Sequence, residues 1–199
     1  RSLVGSEMCI RDSLWPEERV TVGIISPETR SSMLARVDEF TRRDIPFFFD
    51  PGQITPRFTA DELINCFRKA RYVVMSDYEL ELVKRITNIK EKALLDLCEV
   101  LIVTQAEQGA TVLTHQESLH VRACPVRAHD TIGAGDAFRA GLLHAVLHNL
   151  DWKHALQLGC ALASFKVQSE GAQTYCPTRQ ELIERLIATY GDAAVGYAL

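Results

Sequence analysis

The 199-residue sequence lacks any run of apolar residues long enough to cross a membrane. A membrane-spanning helix needs about 20 consecutive, mainly apolar residues, and no segment reaches that length. The chain also lacks the C-x-x-C spacing that is typical of zinc and redox motifs. These absences argue against a membrane protein and against a cysteine-ligated zinc site.

The sequence has no strong excess of positive charge either. Its formal net charge is −4 and its basic residues are dispersed, so we expect no nucleic-acid partner. The six cysteines lie far apart and mostly in apolar segments, which predicts reduced thiols in the core of a cytoplasmic protein. They are Cys9, Cys66, Cys98, Cys124, Cys160 and Cys176.

The first residues do not share the pattern of the rest of the chain. Residues 1–13 (RSLVGSEMCIRDS) resemble translated sequencing-adapter sequence, and the chain does not begin with methionine. They are predicted to be a non-native leader, and we expect the native protein to begin upstream. Residues 14–199 are then predicted to form one domain.

Strands and helices alternate along that domain. Apolar β-branched or aromatic runs predict strands at 20–26, 45–49, 72–75, 100–104, 110–113 and 118–121. Apolar residues at helical spacing predict helices at 28–43, 60–70, 78–85 and 91–97, from 136 onward, and at 152–167 and 179–190. This alternation predicts an α/β fold with a mostly parallel sheet, in which ligands bind at the carboxyl ends of strands.

The most informative segment is residues 130–138 (DTIGAGDAF), where a loop enters a predicted helix. The first N–H groups of a helix have no partner within it, and glycines let an anion approach them closely. The turn at Gly133, Ala134 and Gly135 therefore suits a phosphate. Asp136 follows directly, and a carboxylate there suits a base that accepts a proton from a hydroxyl attacking a phosphoryl group.

Two other glycine-rich motifs do not match this turn. A dinucleotide-binding fingerprint would need a third glycine where Phe138 stands. A Walker loop would end in Gly-Lys-Ser/Thr, and no lysine occurs between Lys92 and Lys153. The alternative interpretation is a structural turn in which Asp136 only caps a helix.

Residues 130–138 resemble the signature of the ribokinase-like (PfkB) carbohydrate and nucleoside kinases, Asp-Thr-x-Gly-Ala/Cys-Gly-Asp-x-Phe/Tyr. The resemblance implies a three-layer α/β/α sandwich that uses ATP and Mg²⁺. Asp136 would be the catalytic base, and the amides of Gly133, Ala134 and Gly135 would stabilise the transferred phosphoryl group. Asp130 and Thr131 would shape the turn around the phosphates. The likeness covers residues 17–190, which correspond to the C-terminal part of such a kinase without its N-terminal part and lid.

Further segments match the family in order. Residues 72–79 (YVVMSDYE) resemble the strand before Asn-x-x-Glu, in which the glutamate helps to organise Mg²⁺. Glu79 is kept, but Ser76 replaces the asparagine, and Glu79 could alternatively be a carboxylate in the first turn of a helix. Residues 103–109 (VTQAEQG) resemble the Thr-x-Gly-x-x-Gly nucleotide turn. Thr104 and Gly109 match, whereas Ala106 replaces a glycine at a cost of about 1 kcal/mol if that position needs a positive φ.

Residues 161–173 (ALASFKVQSEGAQ) resemble the helix and loop that cover the adenine in this family. The resemblance assigns Gly171 to nucleotide binding. It also makes the carbonyl groups of Asp130, Ile132, Ser169 and Gly171 candidates for a monovalent-cation site, with K⁺ as the ion.

The predicted function is ATP-dependent transfer of the γ-phosphoryl group to a primary hydroxyl of a nucleoside or sugar. Residues 50–53 (DPGQ) and 171–173 (GAQ) resemble the bacterial adenosine-kinase-like branch, whereas residues 131–134 (TIGA) are closer to ribokinases and fructokinases. A sugar kinase and a non-catalytic nucleotide-binding protein therefore stay open as alternatives. The expected partner is a small-molecule substrate, and a homo-oligomer is compatible with the family.

Overall fold

The structure is a computed structural model that describes residues 19–171 and 174–194. The predicted leader at residues 1–13 lies outside the described residues, as do Ala172 and Gln173. The chain divides into two compact units, of which the first ends at Leu101 and the second begins at Ile102. None of the described helices has the length and apolar character that a membrane span requires.

The first unit alternates strands with helices around a parallel sheet. Its elements are β1 (Gly23–Ile25), α1 (Arg30–Arg42), β2 (Phe47–Phe49), α2 (Ala60–Lys69), β3 (Tyr72–Ser76), α3 (Asp77–Thr87) and α4 (Glu91–Leu95). The strands are adjacent in the order β1-β2-β3, and Gly23 pairs with Phe47 and Phe48 with Tyr72. All three phenylalanines of β2 are buried, as expected for a strand covered on both faces.

The second unit combines a hairpin with three helices. Strand β4 (Val100–Thr104) continues into this unit, and its remaining elements are β5 (Ala110–Thr114), β6 (Ser118–Val121), α5 (Ala134–Leu147), α6 (Trp152–Gln168) and α7 (Arg179–Tyr190). Strands β5 and β6 are antiparallel, with Ala110 opposite Val121.

Two glycines set the close approach of α5 and α6. A Cβ added at Gly141 would lie 2.7 Å from the Cα of Gly159, and one at Gly159 would lie 2.7 Å from the ring of Phe138. Neither position has room for a side chain, so the helices pack at nearly backbone distance. This contact fixes the direction in which α5 leaves the turn at residues 130–135.

Helix α7 also packs against α6. Leu182 and Leu186 lie in one apolar cluster with Leu158 and Ala161. Arg185 adds a polar attachment, because its guanidinium donates to the Ser164 hydroxyl at 2.7 Å and lies 4.2 Å from the centre of the Phe165 ring. Helix α6 is thus held on both sides.

The predicted elements are confirmed, with differences at their ends. Helix α5 begins at Ala134, two residues before the predicted start, because Gly133 takes the N-cap position in a left-handed conformation. Strand β1 is limited to Gly23–Ile25, which are the residues paired with β2. A 3₁₀ helix at Gly52–Arg57 follows β2 where only a turn was predicted.

The described cysteines are free thiols, as predicted from their spacing. Cys66, Cys98, Cys124 and Cys160 are buried, and Cys176 is exposed. Burial raises the pKa of the Cys66, Cys98 and Cys160 thiols to about 12. Since the thiolate is the reactive form, these three groups should be inert in the folded protein.

We therefore expect iodoacetamide at about pH 8 to alkylate Cys176 rapidly in the native protein. Cys66, Cys98 and Cys160 should react only after unfolding in denaturant. Peptide mass spectrometry at successive times measures each site separately. Native-state alkylation of these three thiols at the rate of Cys176 would show that the core described above is wrong.

Candidate active site

The turn at the start of α5 has the geometry of an anion site. Gly133 is the N-cap residue, with φ 85° and ψ 2°, a left-handed conformation that glycine adopts without strain. Ala134, Gly135 and Asp136 then occupy the first turn, where the helix dipole adds positive potential. One predicted donor is engaged within the chain, because the amide of Ala134 donates to the carbonyl of Thr131 at 3.1 Å.

The chain leaves open space at Gly135. A Cβ added there would meet only the guanidinium of Arg139, with Nη1 at 3.5 Å, which is ordinary van der Waals contact. The fold therefore does not require glycine at this position for packing. The absence of a side chain instead keeps the backbone of the first turn accessible to a ligand.

Asp136 projects from this turn into solvent. Its side chain is 71% exposed and forms an ion pair with Arg139, which is itself only 14% exposed. Burial raises the pKa of the nearby Tyr175 hydroxyl, and the negative charge of Asp136 raises it further. Asp136 is thus held at the surface of the turn by a charge pair while its carboxylate stays accessible to solvent.

Asp130 connects the turn to the loop after α6. Its Oδ1 accepts from the amide of Ile132 at 2.9 Å, and its Oδ2 accepts from the amide of Gly171 at 2.9 Å. These two hydrogen bonds lower the pKa of the Asp130 carboxyl, and the bond from Ile132 has the larger effect. The two residues assigned to nucleotide binding, Asp130 and Gly171, are therefore brought together, and each orders the other's loop.

Lys166 completes this connection, although nothing in the sequence pattern predicted a role for it. Its side chain is fully buried, and its Nζ donates to the carbonyls of Asp130 at 2.9 Å and Ser169 at 3.2 Å. The Nζ also lies 3.6 Å from Oδ2 of Asp130. A lysine in the last turn of a helix is ordinary in sequence, because a cation there favours the helix dipole, so no local signal distinguished it.

A cavity of about 330 Å³ opens beside the turn within the second unit. Five of the residues singled out in the sequence line it: Thr104, Gly109, Thr131, Ala134 and Gly135. Much of the remaining wall is apolar, with Cys124, Pro125, Val126, Phe138, Cys160 and Val167. An apolar cavity with an anion site at its edge suits a molecule that has a flat ring and a phosphate group.

The turn after β4 contains two residues with positive φ, and one of them is Ala106. Gly109 has φ 111°, and a Cβ there would lie 2.7 Å from the amide nitrogen of Ala123, so no other residue fits. Ala106 has φ 48°, which is the left-handed region that alanine avoids. The condition for a cost at Ala106 is therefore met.

Glu79 caps a helix of the first unit. Its Oε2 accepts from the amide of Ser76 at 2.7 Å, while the amide of Glu79 donates to the Ser76 hydroxyl at 3.2 Å. This capping box accounts for both residue types at this spacing. Within residues 19–171 and 174–194, no group of three or more His, Cys, Asp or Glu residues is arranged to hold a metal ion.

Comparison with known proteins identifies relatives over most of the chain. The sequence model of the pfkB family of carbohydrate kinases matches residues 17–179. The nucleoside kinase of Methanocaldococcus jannaschii is 31% identical over 139 residues, which are 69% of this chain and 46% of that protein. The ribokinase of Bacillus subtilis is 29% identical over 170 residues, or 85% of this chain and 56% of that protein.

Solved structures agree on the fold. The nucleoside kinase of Burkholderia thailandensis in complex with inosine superposes with a TM-score of 0.86 at 33% identity, over 88% of this chain and 58% of that one. The predicted fold class is confirmed as ribokinase-like α/β. The chain spans about half the length of the curated relatives it matches.

The strained turn gives a stability prediction. Replacing Ala106 with glycine should raise the free energy of unfolding by about 1 kcal/mol, because glycine adopts a positive φ without the steric penalty of a Cβ. Urea denaturation measures the difference. The control is Ala140→Gly on the exposed face of α5, which should instead lose about 1 kcal/mol through helix propensity. Equal losses in both variants would refute strain at Ala106.

Proposed function

The chain belongs to the pfkB family of carbohydrate kinases, and we propose that it carries the nucleotide-binding and catalytic part of an ATP-dependent kinase. The reaction would transfer the γ-phosphoryl group to a primary hydroxyl of a nucleoside or sugar. One observation supports this most directly. An exposed carboxylate, Asp136, stands in the same helical turn as the open backbone at Gly135.

The turn provides the electrostatic part of this function. Phosphoryl transfer has a loose transition state, with charge on the phosphoryl oxygens, so positioning and charge stabilisation dominate catalysis. The first-turn amides at Gly135 and Asp136 and the dipole of α5 would supply that stabilisation, whereas the amide of Ala134 mainly holds the turn through Thr131. Removing one donor to a developing oxyanion costs about 3–4 kcal/mol in well-studied enzymes.

Asp136 would act as the base. As the substrate oxygen forms its bond to the γ-phosphorus and the bond to the β–γ bridging oxygen breaks, the hydroxyl proton passes to the Asp136 carboxylate. The ion pair with Arg139 does not prevent this, because a pair with so exposed a carboxylate is worth only about 0–1 kcal/mol. A substrate hydroxyl can therefore take the place of the guanidinium.

The cavity beside the turn would hold the nucleotide. Its apolar wall suits the adenine ring, and Thr104 and Gly109 lie where the phosphates and ribose would pass between that wall and the turn. The nucleoside kinase of B. thailandensis was solved in complex with ADP-inosine, which accords with ATP as the phosphoryl donor here. Asp130 and Gly171 would order the loops around the nucleotide without contacting it from the cavity wall.

Magnesium would enter with the nucleotide. Mg²⁺ keeps several waters and is held mainly by substrate phosphates with one or two carboxylates, so a dedicated cluster of protein ligands is not required. Glu79 is the carboxylate that the family resemblance assigns to this role. Its capping bond occupies Oε2, so such a role would depend on the rest of the carboxylate or on bridging water.

Potassium does not fit the site that the resemblance assigns to it. The Nζ of Lys166 already binds two of the four predicted carbonyl groups, those of Asp130 and Ser169. A second cation on the same oxygens would lie next to the ammonium group. Two like unit charges about 4 Å apart repel by about 4 kcal/mol at an effective dielectric constant of about 20.

For the acceptor we propose a nucleoside, with adenosine as the first choice. The relatives from M. jannaschii and B. thailandensis are nucleoside kinases, and the latter was solved with inosine. A sugar is the second candidate, because the B. subtilis ribokinase matches 85% of this chain. Buried free thiols accord with a reducing compartment such as the cytoplasm.

The catalytic assignment predicts that Asp136→Asn loses turnover by about 10²-fold or more while ATP affinity changes little. The protein for this experiment is expressed from the complete gene. ADP release is measured with adenosine, inosine, ribose and fructose, and ATP affinity by calorimetry. Asp61→Asn is the matched control, since Asp61 is an exposed carboxylate in the first turn of α2.

Each outcome of that experiment decides one assignment. Turnover of Asp136→Asn within threefold of the unchanged protein would remove Asp136 from the role of base. Turnover only with a sugar would keep the mechanism and overturn the nucleoside acceptor. Binding of ATP without turnover of any acceptor would favour the non-catalytic alternative, with Ser76 and Ala106 as the departures from the family pattern.

The open space at Gly135 predicts a variant that separates stability from binding. Gly135→Ala should leave stability unchanged or raise it by up to about 1 kcal/mol, since alanine favours helix and nothing blocks its methyl group. ATP binding should weaken about tenfold or more, or by ~1.4 kcal/mol, because the methyl occupies the approach of the phosphate. Ala140→Gly is the reverse control, with lower stability and unchanged affinity. Full ATP affinity in Gly135→Ala would contradict the phosphate site.

A further inference from the structure

The cluster around Lys166 carries an inference that rests on the proposed function and extends it. We propose that the ammonium group of Lys166 is a built-in cation that makes nucleotide binding and phosphoryl transfer by this protein independent of potassium. The side chain occupies the position where the chain's own carbonyl oxygens would otherwise bind a monovalent ion.

The contacts of Lys166 are those of a bound cation. Its Nζ is within 3.2 Å of two carbonyl oxygens and 3.6 Å from a carboxylate oxygen, and the whole side chain is buried. An ammonium group and a potassium ion carry the same charge and are similar in size, so both suit the same oxygen cage. The side chain differs because it is tethered to α6 and cannot dissociate.

The position of these oxygens explains why a positive charge is needed there. The backbone amides of His129 and Asp130 both donate to the carbonyl of Val167, at 2.6 and 3.1 Å, so the loop before the turn lies against the C-terminal end of α6. That end carries the negative pole of the helix dipole. The Asp130 carboxylate adds a full negative charge at the same place, and Lys166 compensates for both.

The same cation connects two loops that frame the candidate nucleotide site. One loop is the segment that leads through Asp130 to the anion-binding turn, and the other contains Ser169 and Gly171 after α6. Without a cation, the carbonyls of Asp130 and Ser169 would lose a hydrogen-bond partner and the Asp130 carboxylate its counter-charge. The loops would then separate more easily, and the turn would lose its fixed position.

The first test compares cations on the unchanged protein, expressed from the complete gene. ADP affinity, turnover and the thermal midpoint are measured in potassium chloride and in tetramethylammonium chloride at equal ionic strength. Tetramethylammonium is too large to enter the cluster and has no N–H group. All three quantities should agree within twofold, or within experimental error for the midpoint. A tenfold gain in affinity or turnover with potassium would overturn the proposal and leave the proposed kinase function intact.

The second test makes room for the free ion. Lys166→Ala removes the ammonium and leaves space, so potassium should restore ADP affinity by about tenfold or more and raise the thermal midpoint. Lys166→Met also removes the charge but fills the space, so potassium should restore neither. Lys153→Ala, on the exposed side of the same helix, is the control and should behave like the unchanged protein.

The two proposals fail in different ways. If the protein binds no ADP with either cation, the proposed function fails. The midpoints still test the cation, because potassium should stabilise Lys166→Ala and leave the unchanged protein and Lys166→Met unaffected. Potassium that stabilises the unchanged protein as much as Lys166→Ala would overturn the built-in cation. So would an absence of any potassium effect on a folded Lys166→Ala variant.

Discussion

The carboxylate of Asp130 is the constraint on which the candidate site depends. It accepts one hydrogen bond from the amide of Ile132 in the turn and one from the amide of Gly171 in the loop after α6. The buried ammonium group of Lys166 lies beside it. Hydrogen bonds to charged groups contribute more than neutral ones, and buried charges need such partners. The three contacts hold two separate loops in one geometry, and the turn at the start of α5 follows directly from the first of them.

The packing of α5 on α6 fixes the direction of the helix that begins at this turn. Because Gly141 and Gly159 allow nearly backbone contact, α5 has little freedom to tilt away from α6. The turn is therefore fixed at its start by Asp130 and beyond its end by the helix crossing. A preorganised set of amides is what electrostatic catalysis requires, because dipoles that are already oriented need no reorganisation during the reaction.

The glycines of the site serve different purposes, and the structure separates them. Gly109 and Gly133 are needed by the backbone itself, since both have positive φ. Gly135 has an ordinary helical position and open space before it, so the fold itself does not require glycine there. Ala106 differs from these glycines, because it has a strained positive φ and also lines the cavity. Local rules are commonly broken at functional sites, where strain is tolerated for the sake of geometry.

Much of the fold could be predicted from local patterns. The strand at Val100–Thr104 and the helix at Arg179–Tyr190 have the predicted limits, because alternation, helical spacing and caps are written in neighbouring residues. The start of α5 was misplaced by two residues, since the sequence does not show that Gly133 is left-handed. The turn itself could be identified because helical spacing of apolar residues begins directly after its glycines.

Local patterns in the sequence predicted the order of elements and singled out the glycine turn and Asp136. The partners of those residues are set by packing between distant segments. Lys166 looks like any lysine at the end of a helix, and its role depends on the carbonyl of Asp130, which is 36 residues away in the chain. The cavity wall likewise unites the ends of strands and helices that are distant in sequence. Contacts of this kind arise from packing, which places no periodic signal in the residues that make them.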